Sequence, residues 1–171
     1  MAALVDQKTI KFYRLSEPYG EFSNFYKRPI RYNGKLWPSS EHFYQAQKFL
    51  DEVNQENVRL CPLPKDAANM GRDPTLPLRA DWNDPVSEED VASYMGNWKV
   101  PSVKLVKDLA MWKAVVPKFT QHQDLTTLLI DTKDAIIIEH TKNDRYWGDG
   151  GDGTGLNALG RQLMDLRGFL Q

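Results

Sequence analysis

The chain contains a single cysteine, Cys61, among its 171 residues. A disulfide framework needs pairs of cysteines, so the sequence excludes a small scaffold held by disulfides and fits a reducing compartment. The sequence also has no N-terminal segment with the pattern of a signal peptide and no apolar run long enough to span a bilayer. We therefore expect a protein of the cytosol or nucleus that does not associate with a membrane.

An excess of charge of either sign is also missing. The 22 lysines and arginines are balanced by 23 aspartates and glutamates, which gives a net charge of −1. The chain as a whole then has no electrostatic attraction for nucleic acid, and a polyanionic partner would have to be met by a local basic patch. The three histidines, His42, His122 and His140, show no ligand spacing with one another or with Cys61. We therefore predict no metal site.

What is present predicts a globular α+β fold. A hydrophobic content of 41% and an aromatic content of 11% are enough for a real core in one domain. We expect a single compact domain over residues 9–171, mainly helical with short strands, preceded by a flexible N-terminus at residues 1–8. Hydrophobic spacing, caps and turn residues place its elements. The predicted elements are strands at 9–15 and 135–139, a hairpin at 29–37 that turns on Asn33-Gly34, helices at 41–53, 67–71, 102–116 and 125–130, a loop at 74–85, a helix start or solvated loop at 87–90, and a last helix with Leu159, Leu163, Leu166 and Leu170 facing the core.

The most distinctive segment is the loop at residues 143–157, which has five glycines and three aspartates between a strand and a helix. Glycine reaches positive φ and lets a ligand approach the main chain, so a ligand-binding loop is our preferred interpretation. A dinucleotide site is rejected because the chain ends too soon after the glycines to supply the second strand and its acidic residue. Asp149 and Asp152 would repel a bare phosphate, so ribose hydroxyls, water or solvent are expected there. A well-capped surface loop is the alternative.

A second group of polar residues follows Pro38. Glu41, Gln45 and Lys48 are spaced i, i+4 and i+7, which places a carboxylate, an amide and an amine on one stripe of a helix. Such a stripe usually faces water, and Glu41 alone would suit a helix first turn. Polar residues also lie on the other side of this helix, at His42 and Gln47. That distribution favours a functional site.

Five segments in order resemble the NADAR family, also called YbiA-like. They span most of the chain, and the last is followed by Gly155-Leu156-Asn157-Ala158-Leu159-Gly160 and the terminal helix. The segments are Gly20-Glu21-Phe22-Ser23-Asn24-Phe25, Ser40-Glu41-His42 through Gln47-Lys48, Met70-Gly71-Arg72, Arg79-Ala80-Asp81-Trp82, and Asn143-Asp144-Arg145-Tyr146-Trp147-Gly148-Asp149-Gly150.

The resemblance implies an N-glycosidase that needs no metal or other cofactor. Two substrate classes are associated with the family: ADP-ribose attached to the amino group of guanine in DNA or RNA, and phosphoribosylamino-pyrimidine intermediates of riboflavin synthesis. The family's functional glutamate, lysine and aspartate correspond to Glu41, Lys48 and Asp144, and its functional tryptophan to Trp82. We expect substrate contacts from Asn24, Ser40, Gly71, Arg72, Arg79, Trp82, Trp147, Gly148, Asp149, Gly150 and Asn157.

The residue types suit this chemistry. Breaking the ribose C1–N bond builds positive charge on the sugar, which Asp144 or Glu41 can stabilise while the other carboxylate activates water or assists the departing amine. In a second route Lys48 forms a Schiff base with the opened ribose. Trp82 offers a face for base stacking, and Arg72 and Arg79 are candidates for the diphosphate.

Three functions therefore remain open: removal of ADP-ribose from guanine, hydrolysis of a riboflavin intermediate, and non-catalytic recognition of ADP-ribose. The first is favoured because no riboflavin-pathway domain is fused to the chain, and the intact Glu41, Lys48 and Asp144 argue against the third. No obligate protein partner is predicted. The segment between Trp82 and Lys118 is longer than we expect for bacterial members, which leaves substrate preference open there.

Overall fold

A computed structural model of the protein describes residues 7–171. The first six residues of the predicted flexible N-terminus lie outside this part. Within it, the chain folds as two compact units, residues 24–122 and residues 7–23 with 123–171. The regular elements, in chain order, are β1 (Thr9–Phe12), a 3₁₀ turn (Gly20–Phe22), β2 (Ile30–Tyr32), β3 (Lys35–Trp37), α1 (Ser40–Ala46), α2 (Glu52–Arg59), α3 (Pro64–Met70), α4 (Glu88–Met95), α5 (Val106–Thr120), α6 (Gln123–Ile130), β4 (Ile136–Glu139) and α7 (Ala158–Leu170).

The unit that carries both ends of the described chain is built on two parallel strands. β1 pairs with β4 from Thr9 opposite Ile136 to Phe12 opposite Glu139. α7 packs on β4 and buries Leu159, Leu163 and Leu166, as its hydrophobic spacing predicts. Leu170, also predicted to face the core, is half-buried. The approach is close at Gly160, where a Cβ would lie 2.2 Å from the carbonyl oxygen of Ile137. This packing places the glycine loop between the end of β4 and the start of α7.

The unit at residues 24–122 is built around α1. Every residue of this helix is buried, and it packs against α2, α3 and α5. The predicted hairpin is confirmed as β2 and β3, joined by Asn33 and Gly34 at φ values of 47° and 76°. Positive φ at both central residues is the requirement of a type I′ turn.

The predicted helix at 41–53 is wrong in extent, because the chain forms two helices there. α1 ends at Ala46, and Phe49 then pairs with Leu78 in an isolated β-bridge. Asp51 starts α2 by accepting a hydrogen bond from the backbone N–H of Asn54 at 2.8 Å. The break therefore arises from a distant pairing and a cap, and Lys48 lies in the turn that follows α1.

α5 also differs from its predicted bounds of 102–116. It begins later because the Oδ2 atom of Asp108 accepts from the backbone N–H groups of Lys104 and Leu105, at 3.0 and 2.8 Å, and so caps the first turn. It continues through Pro117, whose carbonyl accepts from Gln121 at 2.9 Å. The other predicted segments are present with shifted ends, and Ser87 caps a helix, α4. None of the helices within residues 7–171 has the length and apolarity that crossing a membrane requires.

Candidate active site

Ser39 and His42 fix the start of α1. Ser39 caps the helix by accepting from the backbone N–H of His42, and its Oγ lies 2.7 Å from Nδ1 of the same histidine. Nε2 of His42 donates to the carbonyl of Cys61 at 3.0 Å, so Nδ1 of the neutral ring accepts from the serine hydroxyl. Burial lowers the pKa of His42 and keeps the ring neutral. His42 is therefore a structural residue.

Asn24 and Ser40 hold the first turn of α1 from the side. The carbonyl of Asn24 accepts from the backbone N–H of Glu41 at 3.3 Å, and its Oδ1 accepts from the hydroxyl of Ser40 at 2.8 Å. The amide of Asn24 donates to the sulfur of Met111 at 2.9 Å, and both polar residues are buried. Both predicted substrate contacts thus support the backbone at Glu41.

Glu41 is buried on α1, with 5% of its surface exposed. Its Oε1 accepts from Nε2 of Gln45, one helical turn further on, at 2.7 Å. Oε1 of Gln45 is buried and has no hydrogen-bond partner within residues 7–171. This amide packs against Gly71, where a Cβ would lie 1.9 Å from Oε1 of Gln45. The carboxylate of Glu41 is therefore held by an amide whose position requires a residue without a side chain at 71.

Lys48 lies next to two aromatic rings. Its Nζ donates to the carbonyl of Gly71 at 2.9 Å and lies 5.8 Å from the ring centroids of both Tyr44 and Trp82. These two rings are themselves in contact, with centroids 5.3 Å apart. The half-buried amine is thus placed beside an aromatic pair in which Trp82 is itself half-buried.

The surroundings of Lys48 lower the pKa of its amine. Burial is the largest effect and lowers the pKa of its amine, and the charges of Arg72 and Lys107 lower the pKa further. The negative charge of Glu41 acts in the opposite direction, but the net shift is downward. A lysine with a lowered pKa has more of the free amine that acts as a nucleophile.

The loop that carries Trp82 is fastened to the turn after α1. The backbone N–H of Arg79 donates to the carbonyl of Lys48 at 2.8 Å. The guanidinium of Arg79 binds both oxygens of Asp81, at 2.6 and 2.8 Å, which raises the pKa of Arg79 and lowers that of Asp81. Arg79 therefore already has a carboxylate partner, whereas Arg72 is exposed.

The glycine loop, in the other unit, is organised around Asp144. Its Oδ1 accepts from the backbone N–H groups of Tyr146 and Trp147, both at 2.8 Å. Its carbonyl accepts from Gly150 at 3.1 Å, and Gly150 has a φ of 74°. Oδ2 of Asp144 has no hydrogen-bond partner in the part of the chain that the structure describes. The carboxylate is thus fixed through one oxygen.

Other loop residues predicted to contact substrate make internal contacts. Asp149 is buried and accepts from Nδ1 of His140 at 2.7 Å. Oδ1 of Asn157 accepts from the backbone N–H of Glu139 at 3.0 Å, and its amide donates to the carbonyl of Ile137 at 2.8 Å. At Gly148 a Cβ would lie 2.9 Å from the carbonyl oxygens of Asp144 and Glu139. Asp149, Asn157 and Gly148 therefore stabilise the loop from within.

Sequence reasoning missed Tyr44, because an aromatic residue in a helix usually belongs to the core. It named Gln45 in the polar stripe and Gly71 as a substrate contact, but it did not predict that the two pack against each other. Both contacts join segments that are distant in sequence.

A buried carboxylate and a half-buried lysine beside two aromatic rings, on an α+β fold, are suited to acid–base or covalent catalysis. The sequence model of the NADAR domain family matches residues 11–171. The chain is 47% identical over 158 residues to the N-glycosidase YbiA of Escherichia coli, which covers 92% of this chain and 86% of that protein. It therefore belongs to the NADAR family, among the YbiA-like N-glycosidases.

A solved structure and a longer relative extend this result. The NMR structure of E. coli YbiA is similar with a TM-score of 0.76 and 46% identity, covering 96% of this chain and 85% of that one. This similarity confirms the predicted α+β fold class. A riboflavin biosynthesis protein of Vibrio vulnificus is 37% identical over 165 residues, which is 96% of this chain and 39% of that protein.

Proposed function

We propose that this protein hydrolyses the ribose C1–N bond that joins ADP-ribose to the amino group of guanine in DNA or RNA, and so releases ADP-ribose and restores the base. The observation that carries the proposal is the grouping of Glu41, Lys48 and Trp82 in one unit of a NADAR domain. Such a substrate is consistent with the predicted cytosolic or nuclear location. The guanine specificity rests on the family resemblance.

The contacts of Lys48 support a covalent route. The substrate is an N,O-acetal at C1, and when the C1–O4 bond breaks, the oxygen takes a proton and the base nitrogen forms a C=N bond to C1. The neutral amine of Lys48 adds to C1, the guanine amine leaves with a proton, and a Schiff base to Lys48 remains. Water then adds to C1, the lysine leaves as an amine, and the sugar closes through O4.

The remaining residues of the site have separate roles in this reaction. Glu41 carries protons between the sugar oxygen, the base nitrogen and water, since a buried carboxylate held in place by an amide is suited to acid and base catalysis. Trp82 and Tyr44 stabilise the positively charged imine through their ring faces. Asp144 is the second carboxylate, a role taken from the resemblance. Direct attack of water on C1 is the alternative to the Schiff base.

A second candidate function is hydrolysis of phosphoribosylamino-pyrimidine intermediates of riboflavin synthesis. The similarity to the V. vulnificus riboflavin biosynthesis protein favours it. Both candidates break a ribose C1–N bond to an amine, so the chemistry proposed for Lys48 applies to each.

Parallel incubation with both substrate classes distinguishes these functions. We expect mass spectrometry to show free ADP-ribose and intact unmodified oligonucleotide from guanine-ADP-ribosylated DNA or RNA, with little turnover of the pyrimidine. Turnover of the pyrimidine alone would establish the second function. Tight binding of ADP-ribose without turnover of either substrate would instead indicate a non-catalytic reader.

Replacement of Glu41 by glutamine tests its role in the proton transfers. Glu41→Gln keeps the shape of the side chain and an oxygen that can accept from Gln45, so the fold should be retained. We expect kcat to fall by about 100- to 10,000-fold, because proton transfer by a positioned carboxylate is lost. Glu52 is a matched control, since it also lies in the first turn of a helix but is exposed. Wild-type kcat in Glu41→Gln, with Glu52→Gln also unchanged, would remove Glu41 from the mechanism.

A further inference from the structure

A groove of about 450 Å³ lies in the unit formed by residues 7–23 and 123–171. It is lined by the segment after β1 and by the segment after β4, and the latter leads directly into Asp144. Most of the charged and polar side chains that line it are hydrogen-bond donors. The charged and polar residues of the lining include Tyr13, Arg14, Glu17, His140, Lys142 and Asn143.

His140 is oriented in this groove by a buried carboxylate. Its Nδ1 donates to Oδ2 of Asp149 at 2.7 Å, so Nε2 is the ring nitrogen left for other contacts. Oδ1 of Asp149 accepts from the backbone N–H groups of Thr141 and Gly151, at 3.2 and 2.9 Å. Burial raises the pKa of Asp149, but these three hydrogen bonds outweigh it and the pKa is lowered. The carboxylate is therefore ionised and covered, and the imidazole stands between it and the groove.

Because Asp149 is buried and hydrogen-bonded, its charge does not prevent a phosphate from binding near the glycine loop. From the sequence, an aspartate at this position would repel a bare phosphate. In the structure its charge is satisfied by three donors and 4% of its surface is exposed. The side chain that lines the groove is instead that of His140.

The other groove residues supply donors and cations. Arg14 and Lys142 are exposed cations, one on each of the two segments that line the groove. Oη of Tyr13 accepts from the amide of Asn143 at 3.2 Å, which leaves the phenol proton to donate elsewhere. Glu17 is the acidic side chain of this lining, and its carboxylate lies 3.9 Å from Arg14. The lining of the groove thus carries two permanent positive charges and one negative charge.

We infer that this groove binds a phosphate group of the substrate through Arg14, Lys142 and Nε2 of His140. Guanidinium and ammonium groups form charge-assisted hydrogen bonds with phosphate oxygens. Because Nδ1 of His140 is bonded to Asp149, its Nε2 donates a third hydrogen bond when both ring nitrogens carry protons, and otherwise accepts one from a protonated phosphate oxygen. This inference rests on the proposed function for the choice of ligand, since both candidate substrates carry phosphate. Asn143, a groove residue, immediately precedes Asp144, the proposed second carboxylate.

Calorimetric titration with pyrophosphate, ADP and adenosine tests the groove without requiring turnover. We expect Arg14→Ala combined with Lys142→Ala to weaken ADP and pyrophosphate binding at least about 10-fold, the scale of one lost charged hydrogen bond. Binding of adenosine, which has no phosphate, should not change. Glu17→Gln should act in the opposite direction and tighten both phosphate ligands, because it removes the opposing charge.

Arg161→Ala is the control, since Arg161 is an exposed cation of α7 in the same unit. Unchanged pyrophosphate affinity in the double variant, or no pyrophosphate binding by the wild type, would overturn the inference. The experiment also distinguishes a failure of the groove inference from a failure of the proposed function. A wild type that releases ADP-ribose while the double variant binds pyrophosphate normally contradicts the groove alone. Loss of pyrophosphate binding in the double variant, without turnover by the wild type, contradicts the proposed function alone.

Discussion

Lys48→Ala is expected to abolish N-glycosidase turnover while the protein stays folded. The variant loses the amine that forms the Schiff base, and removal of a covalent nucleophile lowers kcat by at least about 1,000-fold. The fold should tolerate the change, because the amine is half-buried and makes one hydrogen bond, to Gly71, within the described residues. Lys48→Arg should be equally inactive, since it keeps the positive charge but not the nucleophile.

Lys113 provides a matched control for this variant. It is also half-buried, burial lowers its pKa, and its Nζ lies 5.3 Å from the ring centroid of Tyr94. Lys113→Ala should therefore reproduce the loss of a buried lysine from an aromatic contact without loss of kcat. Near wild-type activity in Lys48→Ala would show that Lys48 is not the nucleophile.

The pH dependence of the wild type follows from the same lysine. Burial lowers the pKa of Lys48 below its ordinary value of 10.5, so the reactive free amine forms at a lower pH than in an exposed lysine. We expect kcat/KM to rise with pH through this lowered pKa. Glu41 raises the pKa of Lys48, so in the residual activity of Glu41→Gln the rise should move to lower pH. A shift to higher pH would contradict the electrostatic account.

Gly71→Ala is expected to reduce both stability and activity, although the backbone conformation at position 71 is one that any residue can adopt. Gly71 has a φ of −69°, so alanine would bring no backbone strain. The added Cβ would lie 1.9 Å from Oε1 of Gln45 and 2.9 Å from its Cδ, so the amide that binds Glu41 must move from its position. Overpacking of this kind costs about 1–3 kcal/mol, and a displacement near 1 Å at a catalytic group can lower kcat about 100-fold.

A second substitution separates the clash from the loss of positioning. Gln45→Ala in the Gly71→Ala background removes the group that clashes, so the double variant should lose less stability than the sum of the single variants. Activity should not recover, because Glu41 still lacks the amide that holds it. Gly168→Ala is the glycine control, since a Cβ there meets nothing within 4 Å. Denaturant unfolding and kcat, measured on all four variants, give the comparison. If the losses in unfolding free energy of the two single variants add up in the double variant, or if Gly71→Ala is fully active, the packing of Gln45 on Gly71 does not position Glu41.

Sequence patterns predicted those secondary-structure elements that are determined by residues close together in the chain. The hairpin follows from Asn33 and Gly34, which adopt positive φ, and α7 follows from the spacing of Leu159, Leu163 and Leu166. The end of α1 was not predictable in this way. It depends on the pairing of Phe49 with Leu78, and hydrophobic spacing contains no information on a bridge between distant segments.

In the candidate site, too, the features within one short segment could be predicted and the contacts between distant segments could not. Glu41 and Lys48 could be proposed from their spacing and from the family resemblance, because both lie in one short segment. The carbonyl of Gly71 that receives Lys48, and the space that Gly71 leaves for Gln45, come from a segment more than twenty residues away. The residue type at Asp149 suggested a ligand contact, and its hydrogen bond with His140 was not predictable, because it depends on how the loop folds back towards the end of β4.

The most direct test of the account is reduction with borohydride during turnover, followed by peptide mass mapping. The wild type, incubated with the substrate that it hydrolyses, should acquire a ribose-derived adduct on the peptide that contains Lys48. Lys113→Ala should acquire the same adduct, and Lys48→Ala should acquire none. A wild type that turns over its substrate without any trapped adduct, or with an adduct on another residue, would contradict the assignment of Lys48 as the nucleophile.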